Sequence, residues 1–391
     1  MSENIPYCRQ HLGEEEIAAV TEVLRGGWIA RGRRARDFEE ACAARLDASH
    51  AIACSSGSAA LEIALRGLGI GSGDEVIVPT LTWVATAMAA RQVGAVPVFC
   101  DVDPVALAVT YDTALAAWSE RTRAVIAVDF AGVPHEVFAL RRLCELRGAF
   151  LVEDAAHAFG ARYSDRTPVG RDGAAHVATF SFHPAKTITT AEGGLLTCAD
   201  VDLAERLRRI RSGGITRDFE GSRGAYDYLA TEVGSNFHMT ELSAALGLVQ
   251  LGRLGELLAW RRAAFDRILA ALQPLKDELD LPAHPAGSSH NLFVVELAGD
   301  LVASGRRDSV LECLRGSGVM AHMHYPLLHR QPVFRTAGAP PTLPVAERYE
   351  ACALTLPLFP AITPEQIARV AEALTRALAA IPAESVPTHA A

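Results

Sequence analysis

Six short runs rich in β-branched and aromatic residues, VIVPT, VPVFCDVD, AVIAVDF, AFLVED, HVATFSF and GGLLTC, recur up to about Cys198 with helical or turn-rich stretches between them. That alternation predicts an α/β fold with a mainly parallel central sheet covered by helices on both faces. From Met239 to about Leu272 the pattern turns helical, with Leu242, Leu246, Val249 and Leu254 near one face, which predicts one long helix linking two domains. Beyond it NLFVVEL and VMAHMHY read as strands, and RDSVLECLRG and EQIARVAEALTRAL as helices, giving a smaller carboxyl-terminal α/β domain. A chain of 391 residues is long for one domain. The expected division is a large domain over 1–250, including the N-terminal segment, a small domain with the linking helix over 251–385, and a disordered tail over 386–391.

Composition excludes several classes of function. Half the residues are hydrophobic, yet no uninterrupted apolar run is long enough to span a bilayer, and the opening MSENIPYCRQ is too polar for a signal peptide. The eight cysteines are scattered and form no C-x-x-C pair, which fits reduced thiols in a cytoplasmic protein rather than a disulfide frame or a zinc site. A net charge of −9 opposes general binding to nucleic acid, whose phosphates would be repelled.

The chemistry concentrates at the predicted strand ends. In SFHPAKTITTAEGG, Ser181 to Gly194, a polar turn between two strands carries Lys186. A lysine facing a cleft with apolar walls is desolvated, and its amine becomes a usable nucleophile; the plainer reading is a solvated surface lysine. Phe150 to Glu153 reads as a buried strand with Asp154 at its carboxyl end, where ligands bind in open α/β sheets, and with His157 three residues on. Asp154 fits the carboxylate that keeps a pyridine nitrogen protonated, or else it caps a helix begun by AAHAFGA. IACSSGSAALEIAL reads as strand, tight turn and helix, so Gly57 and Ser58 open either a phosphate site or an ordinary N-cap. Trp83, near the end of VIVPTLTW, offers a face to a flat cofactor unless it is a core residue. The basic run Arg31 to Arg36, RGRRAR, is a solvated helix start or a clamp for an anionic substrate, in which Arg31, Arg33 and Arg34 would take part.

Together these residues point to pyridoxal phosphate, and the motifs PYCRQHLGEEE, SSGSAALEIALRGLGIGSGDEVIVPTLTWVATA, VPVFCDVDP, LVEDAAHAFGA, FSFHPAKTITTAEGGLLT and GSNFHMTELSAALGLVQL extend the pattern over most of the chain. From about Ile5 to Pro360 the sequence resembles the DegT/StrS family of sugar aminotransferases, pyridoxal phosphate enzymes of fold type I. Within it, PYCRQ, VDFAGVP and SFHPAKTITTAEGG are similar to the enzymes that aminate UDP-4-keto-6-deoxy-hexosamines on the way to pseudaminic acid.

The resemblance implies that Lys186 holds the cofactor covalently, Asp154 binds the pyridine nitrogen, His157 sits by the phenolic oxygen and Trp83 stacks on the ring. Gly57, Ser58 and Ser181 would hold the phosphate, joined by Asn236 from the partner subunit of a homodimer with shared sites. His183, Arg31, His324 and Tyr325 would meet the substrate, a keto sugar linked to a nucleotide, with an amino acid such as glutamate as donor. Two stretches depart from the family pattern: Ala30 and Arg33 replace its usual Thr and Pro, and Asn291 and Phe293 replace its His-x-Tyr.

Rival readings are an aminotransferase of keto-cyclitols, a dehydratase, and a non-catalytic sensor that binds the cofactor. The dehydratase branches lose the lysine that is present here. His322, His324 and His329 suggest a metal site by spacing alone, but no carboxylate or cysteine completes the set nearby, and no metal is expected.

Overall fold

Residues 4–135, 137–217, 224, 227–283, 286–298, 306–335 and 340–380 are described by the computed structural model. The expected tail over 386–391 lies outside them. Seven strands form the main sheet: β1 (His50–Cys54), β2 (Glu75–Pro79), β3 (Val96–Cys100), β4 (Thr122–Val128), β5 (Phe150–Asp154), β6 (Val177–Ser181) and β7 (Gly194–Cys198). Their order is β1-β7-β6-β5-β4-β2-β3, and within it only β7 runs against its neighbours. All six runs named from the sequence are strands of this sheet. β2 and β7 are buried at every position, as strands covered on both faces must be. Successive residues serve opposite faces: Val125, Leu151 and Leu195 enter one hydrophobic cluster, Ile126, Val152 and Leu196 the other.

A second core lies around a three-stranded antiparallel sheet of Leu279–Asp280, Phe293–Leu297 and Ala353–Leu356, covered by the helices Arg306–Gly316 and Pro364–Ala379. The N-terminal segment reaches this core, because Ile5 bridges to Val319 and packs among its residues. VMAHMHY, expected as a strand, is not one. It makes only isolated bridges, including His322 to Thr355, because the edge beside Ala353–Leu356 is met at single points and no ladder forms.

The expected single linking helix is two, Glu241–Gly252 and Leu254–Leu272, bent by 66°. Arg253 leaves helical geometry at φ −94 and ψ 3, between glycines 252 and 255, which weaken a helix interior. Its guanidinium is drawn sideways to Glu16 at 2.7 Å and to His11 Nδ1 at 3.0 Å. The second helix joins the two cores: Leu254 and Leu257 pack in the first, Phe265 and Ile268 in the second. Among the described residues no single helix is long and apolar enough to cross a membrane.

Candidate active site

Parallel strands deliver their carboxyl ends to one edge of the sheet, and the loops that follow enclose a cleft of about 380 Å³. Ten of the residues singled out from the sequence line it: Gly57, Ser58, Trp83, Asp154, His157, Ser181, His183, Lys186, His324 and Tyr325. Arg31 and Asn236 do not.

Lys186 sits in the long loop from β6 to β7, not on the solvated surface. Its N–H donates to the His183 carbonyl at 2.9 Å, and its own carbonyl accepts from Arg261 Nη2 at 3.0 Å. Burial pushes the amine down to about 8; Asp154 and Cys8 draw the proton back, and Arg261 repels it. Asp154, at the end of β5, is 4% exposed. Its Oδ2 accepts from Thr86 Oγ1 at 2.8 Å, and its Oδ1 from the Ala156 N–H at 3.2 Å. Burial raises this carboxyl above its ordinary value, against the lowering effect of those two hydrogen bonds and of Lys186. The helix-cap alternative fails, because AAHAFGA forms turns and no helix.

The turn after β1 opens the helix Gly57–Gly67. Ser56 Oγ takes the Ala59 N–H at 3.1 Å, which leaves the first N–H groups of the helix, at Gly57 and Ser58, to face an anion. Glycine is required at 57 by close approach: a Cβ there would stand 2.8 Å from the Cβ of Ser181. Ser181 is thereby held against the same helix end. Trp83 caps the helix Val84–Gln92 and is 58% exposed, which removes the core reading and leaves its face toward the cleft.

His157 lies on the cleft wall with Nε2 3.1 Å from the hydroxyl of Tyr325 and Nδ1 buried without a partner among the described residues. Burial, with Lys186 and His324 nearby, pushes this imidazole well below its usual value, so it is neutral. His324 Nδ1 meets Thr355 Oγ1 at 2.9 Å, and burial pushes its ring down to about 3. His322 stands 6.1 Å from His324 between ring centroids, while His329 is engaged elsewhere with Thr80 at 2.7 Å, so the three do not converge.

Arg31 is exposed and off the cleft, and three backbone N–H groups of its loop are engaged by one carboxylate. Glu241, 4% exposed, accepts from the N–H groups of Gly32 at 2.9 Å, Arg34 at 3.0 Å and Ala35 at 3.0 Å. Arg33 pairs with Asp37 at the surface. Asn236 is also exposed, its backbone bridged to Ser212. Of the two departures downstream, Asn291 lines the cleft and Phe293 is core.

Sequence reasoning missed Thr86, Tyr7 and Arg261. Thr86 was the most accessible of these, since a hydroxyl in the first turn after a strand end can reach the ligand edge. Tyr7, although inside the PYCRQ motif, and Arg261 come from distant segments, and nothing local placed either beside Lys186.

The family comparison decides what such a cleft belongs to: residues 10–375 match the DegT/DnrJ/EryC1/StrS aminotransferase family. The chain belongs to that family. The structure is similar to Helicobacter pylori PseC, an aminotransferase involved in the biosynthesis of pseudoaminic acid, with a TM-score of 0.89, 27% identity, and coverage of 97% of this chain and 100% of that one. The aminotransferase TlmJ of Streptoalloteichus hindustanus aligns with a TM-score of 0.87, 33% identity, and coverage of 96% and 99%. Spr1654 of Streptococcus pneumoniae, in its PLP form, aligns with a TM-score of 0.88, 28% identity, and coverage of 97% and 100%.

The protein is therefore a pyridoxal phosphate-dependent aminotransferase. Its cleft fits the cofactor on its own geometry: a desolvated amine, a buried carboxylate, open N–H groups at a helix end and an exposed indole surround it. The orphaned Nδ1 of the wall histidine is a further polar atom without a protein partner.

Proposed function

We propose that this enzyme moves an amino group from an amino acid, glutamate by family resemblance, to the carbonyl of a nucleotide-linked 4-keto-6-deoxy sugar. The observation that carries the reading is the meeting of the Lys186 amine, held down to about 8, with buried Asp154 in one cleft. The likeness to PseC supports the sugar class.

Pyridoxal phosphate supplies an electron sink when bound. Lys186 would anchor it through its amine and, with that amine free, would take up and return a proton at Nζ as the acid and base of both half-reactions. Asp154 would hold the ring nitrogen in its protonated form, the helix end at Gly57 and Ser58, with Ser181, would take the phosphate, and Trp83 would offer its face to the ring. Asn236, exposed and off its own cleft, is assigned to the neighbour's phosphate in a homodimer. Eight free cysteines, six of them buried, support a reducing cytoplasmic setting.

The test charges the enzyme with glutamate and presents it with a panel of nucleotide-linked keto sugars and free keto-cyclitols, following the cofactor absorbance and the aminated product. Turnover of a nucleotide-linked sugar, inhibited by free nucleoside diphosphate, is expected; turnover of cyclitols alone would replace the substrate reading. Lys186→Ala is expected to stay folded, lose turnover and escape fixation of cofactor by borohydride.

A further inference from the structure

Arg261 is 1% exposed and has no carboxylate partner among the described residues. Its Nη2 donates to the Lys186 carbonyl at 3.0 Å, whereas Nε and Nη1 are buried with no hydrogen bond among the described residues. An ion held dry and unpaired is among the least favourable groups a fold can contain, so its retention calls for a reason. The position supplies one. The helix Leu254–Leu272 joins the two cores, and Arg261 projects from it to where the N-terminal residues Tyr7 and Cys8 pass Lys186.

We propose that Arg261 is a positioning residue for Lys186: one guanidinium nitrogen fixes the carbonyl of that residue, while the permanent charge, buried beside it, disfavours a second positive charge on the amine. The first effect holds the loop so that the side chain enters the cleft. The second raises the share of Nζ that has a free electron pair near neutral pH, in opposition to Asp154 and Cys8, which draw a proton onto it. Among the described residues, His157 and His324 face the same cleft and are neutral, burial raises Tyr7, Cys8 and Tyr325 so that they keep their protons, and His183 and Glu192 also line it; Arg261 is the arginine that bears on the amine. Burial brings the guanidinium down only to about 10, so it stays charged where the amine titrates, and its fork donates to the Lys186 carbonyl at the same time.

The proposal rests on Lys186 being the reactive amine of the cleft, and its test reads that amine directly in the full chain freed of cofactor. Carbamylation of Lys186 by cyanate, followed by mass spectrometry across a pH series, gives the midpoint at which the amine loses its proton. In wild type it is expected near 8. An ordinary lysine midpoint in wild type would sink the reading of the site itself. Arg261→Gln keeps a donor for the carbonyl and removes the charge; its midpoint should rise by about one pH unit, roughly a tenfold slower reaction at pH 7. Arg261→Lys, which keeps a charge, should stay within about threefold of wild type. A Gln profile that superimposes on wild type, or a Lys profile raised as far as the Gln one, overturns the proposal. Should Arg261→Gln fail to fold, Arg261→Lys decides alone: a wild-type midpoint supports a role through charge, and a raised midpoint overturns it.

Discussion

The hydroxyl of Tyr325 meets Nε2 of His157 at 3.1 Å, joining a segment that packs with the second sheet to the floor laid down by the first. Because burial keeps the imidazole neutral, this is a hydrogen bond between uncharged groups, and it orients a ring whose other nitrogen has no protein partner. Tyr325→Phe is expected to slow the donor half-reaction by roughly threefold to tenfold, the worth of one such bond. Stopped-flow absorbance checks it. A rate equal to wild type would make the contact one of packing only.

Asp154→Asn removes the carboxylate from the cleft, and an amide cannot stabilise a protonated pyridine nitrogen in the same way. A loss on the order of a hundredfold or more in rate is expected, a few kcal/mol of barrier. Thr86→Val, which takes away the 2.8 Å hydrogen bond to Oδ2, should cost less, about tenfold. Single-turnover rates for the two variants, with cofactor content measured separately, test the order. Equal losses would deny Asp154 its separate role.

Glu153, beside Asp154 but pointing away from the cleft, is fully buried; its Oε1 accepts from Tyr163 at 2.5 Å, while its Oε2 and Asp129 Oδ2 both lack a donor. Burial first, and then Asp129, raise its carboxyl well above the usual range. Native Glu153 therefore keeps a proton that the unfolded chain releases above the ordinary glutamate value of 4.5. Its contribution to stability is whole below that pH and is lost as pH rises toward the raised native value. Glu153→Gln, which supplies a permanent donor, should remove this slope: relative to wild type it gains about 1.4 kcal/mol per pH unit across the window. Denaturant melts at a series of pH values rising from 4.5 measure the difference. Parallel curves would mean that Glu153 is ionised in the fold.

Asn236→Asp places a negative charge against the neighbour's cofactor phosphate if the homodimer shares its sites, and so should weaken cofactor binding. Mixed with Lys186→Ala under subunit exchange, it should restore activity at one site of each mixed dimer, which then combines an intact Lys186 with an intact Asn236 from the other chain. Recovery to about half of one wild-type site or less, with exchange confirmed by mass spectrometry, is the expected result. No recovery would return Asn236 to its own subunit.

The strand runs, the turn carrying Lys186 and the strand end carrying Asp154 were legible in the sequence because each is a local matter. Alternation of period two, β-branching and turn residues act over a few neighbours, and parallel strands then bring their carboxyl ends to one edge without further instruction. Family resemblance added the assignment of roles, ten of which fall on residues that the fold gathers into one cleft. Local pattern failed where a side chain far away decided the outcome. The linking helix breaks at Arg253 because Glu16 and His11 pull its guanidinium aside, and the basic loop at Arg31 is tied down by Glu241, two hundred positions on. Thr86 on Asp154, Tyr325 on His157 and Arg261 on Lys186 are likewise partners of tertiary structure alone. Each is a polar group that had to find its match inside a dry interior, and only the packing of the two cores determines which match is within reach.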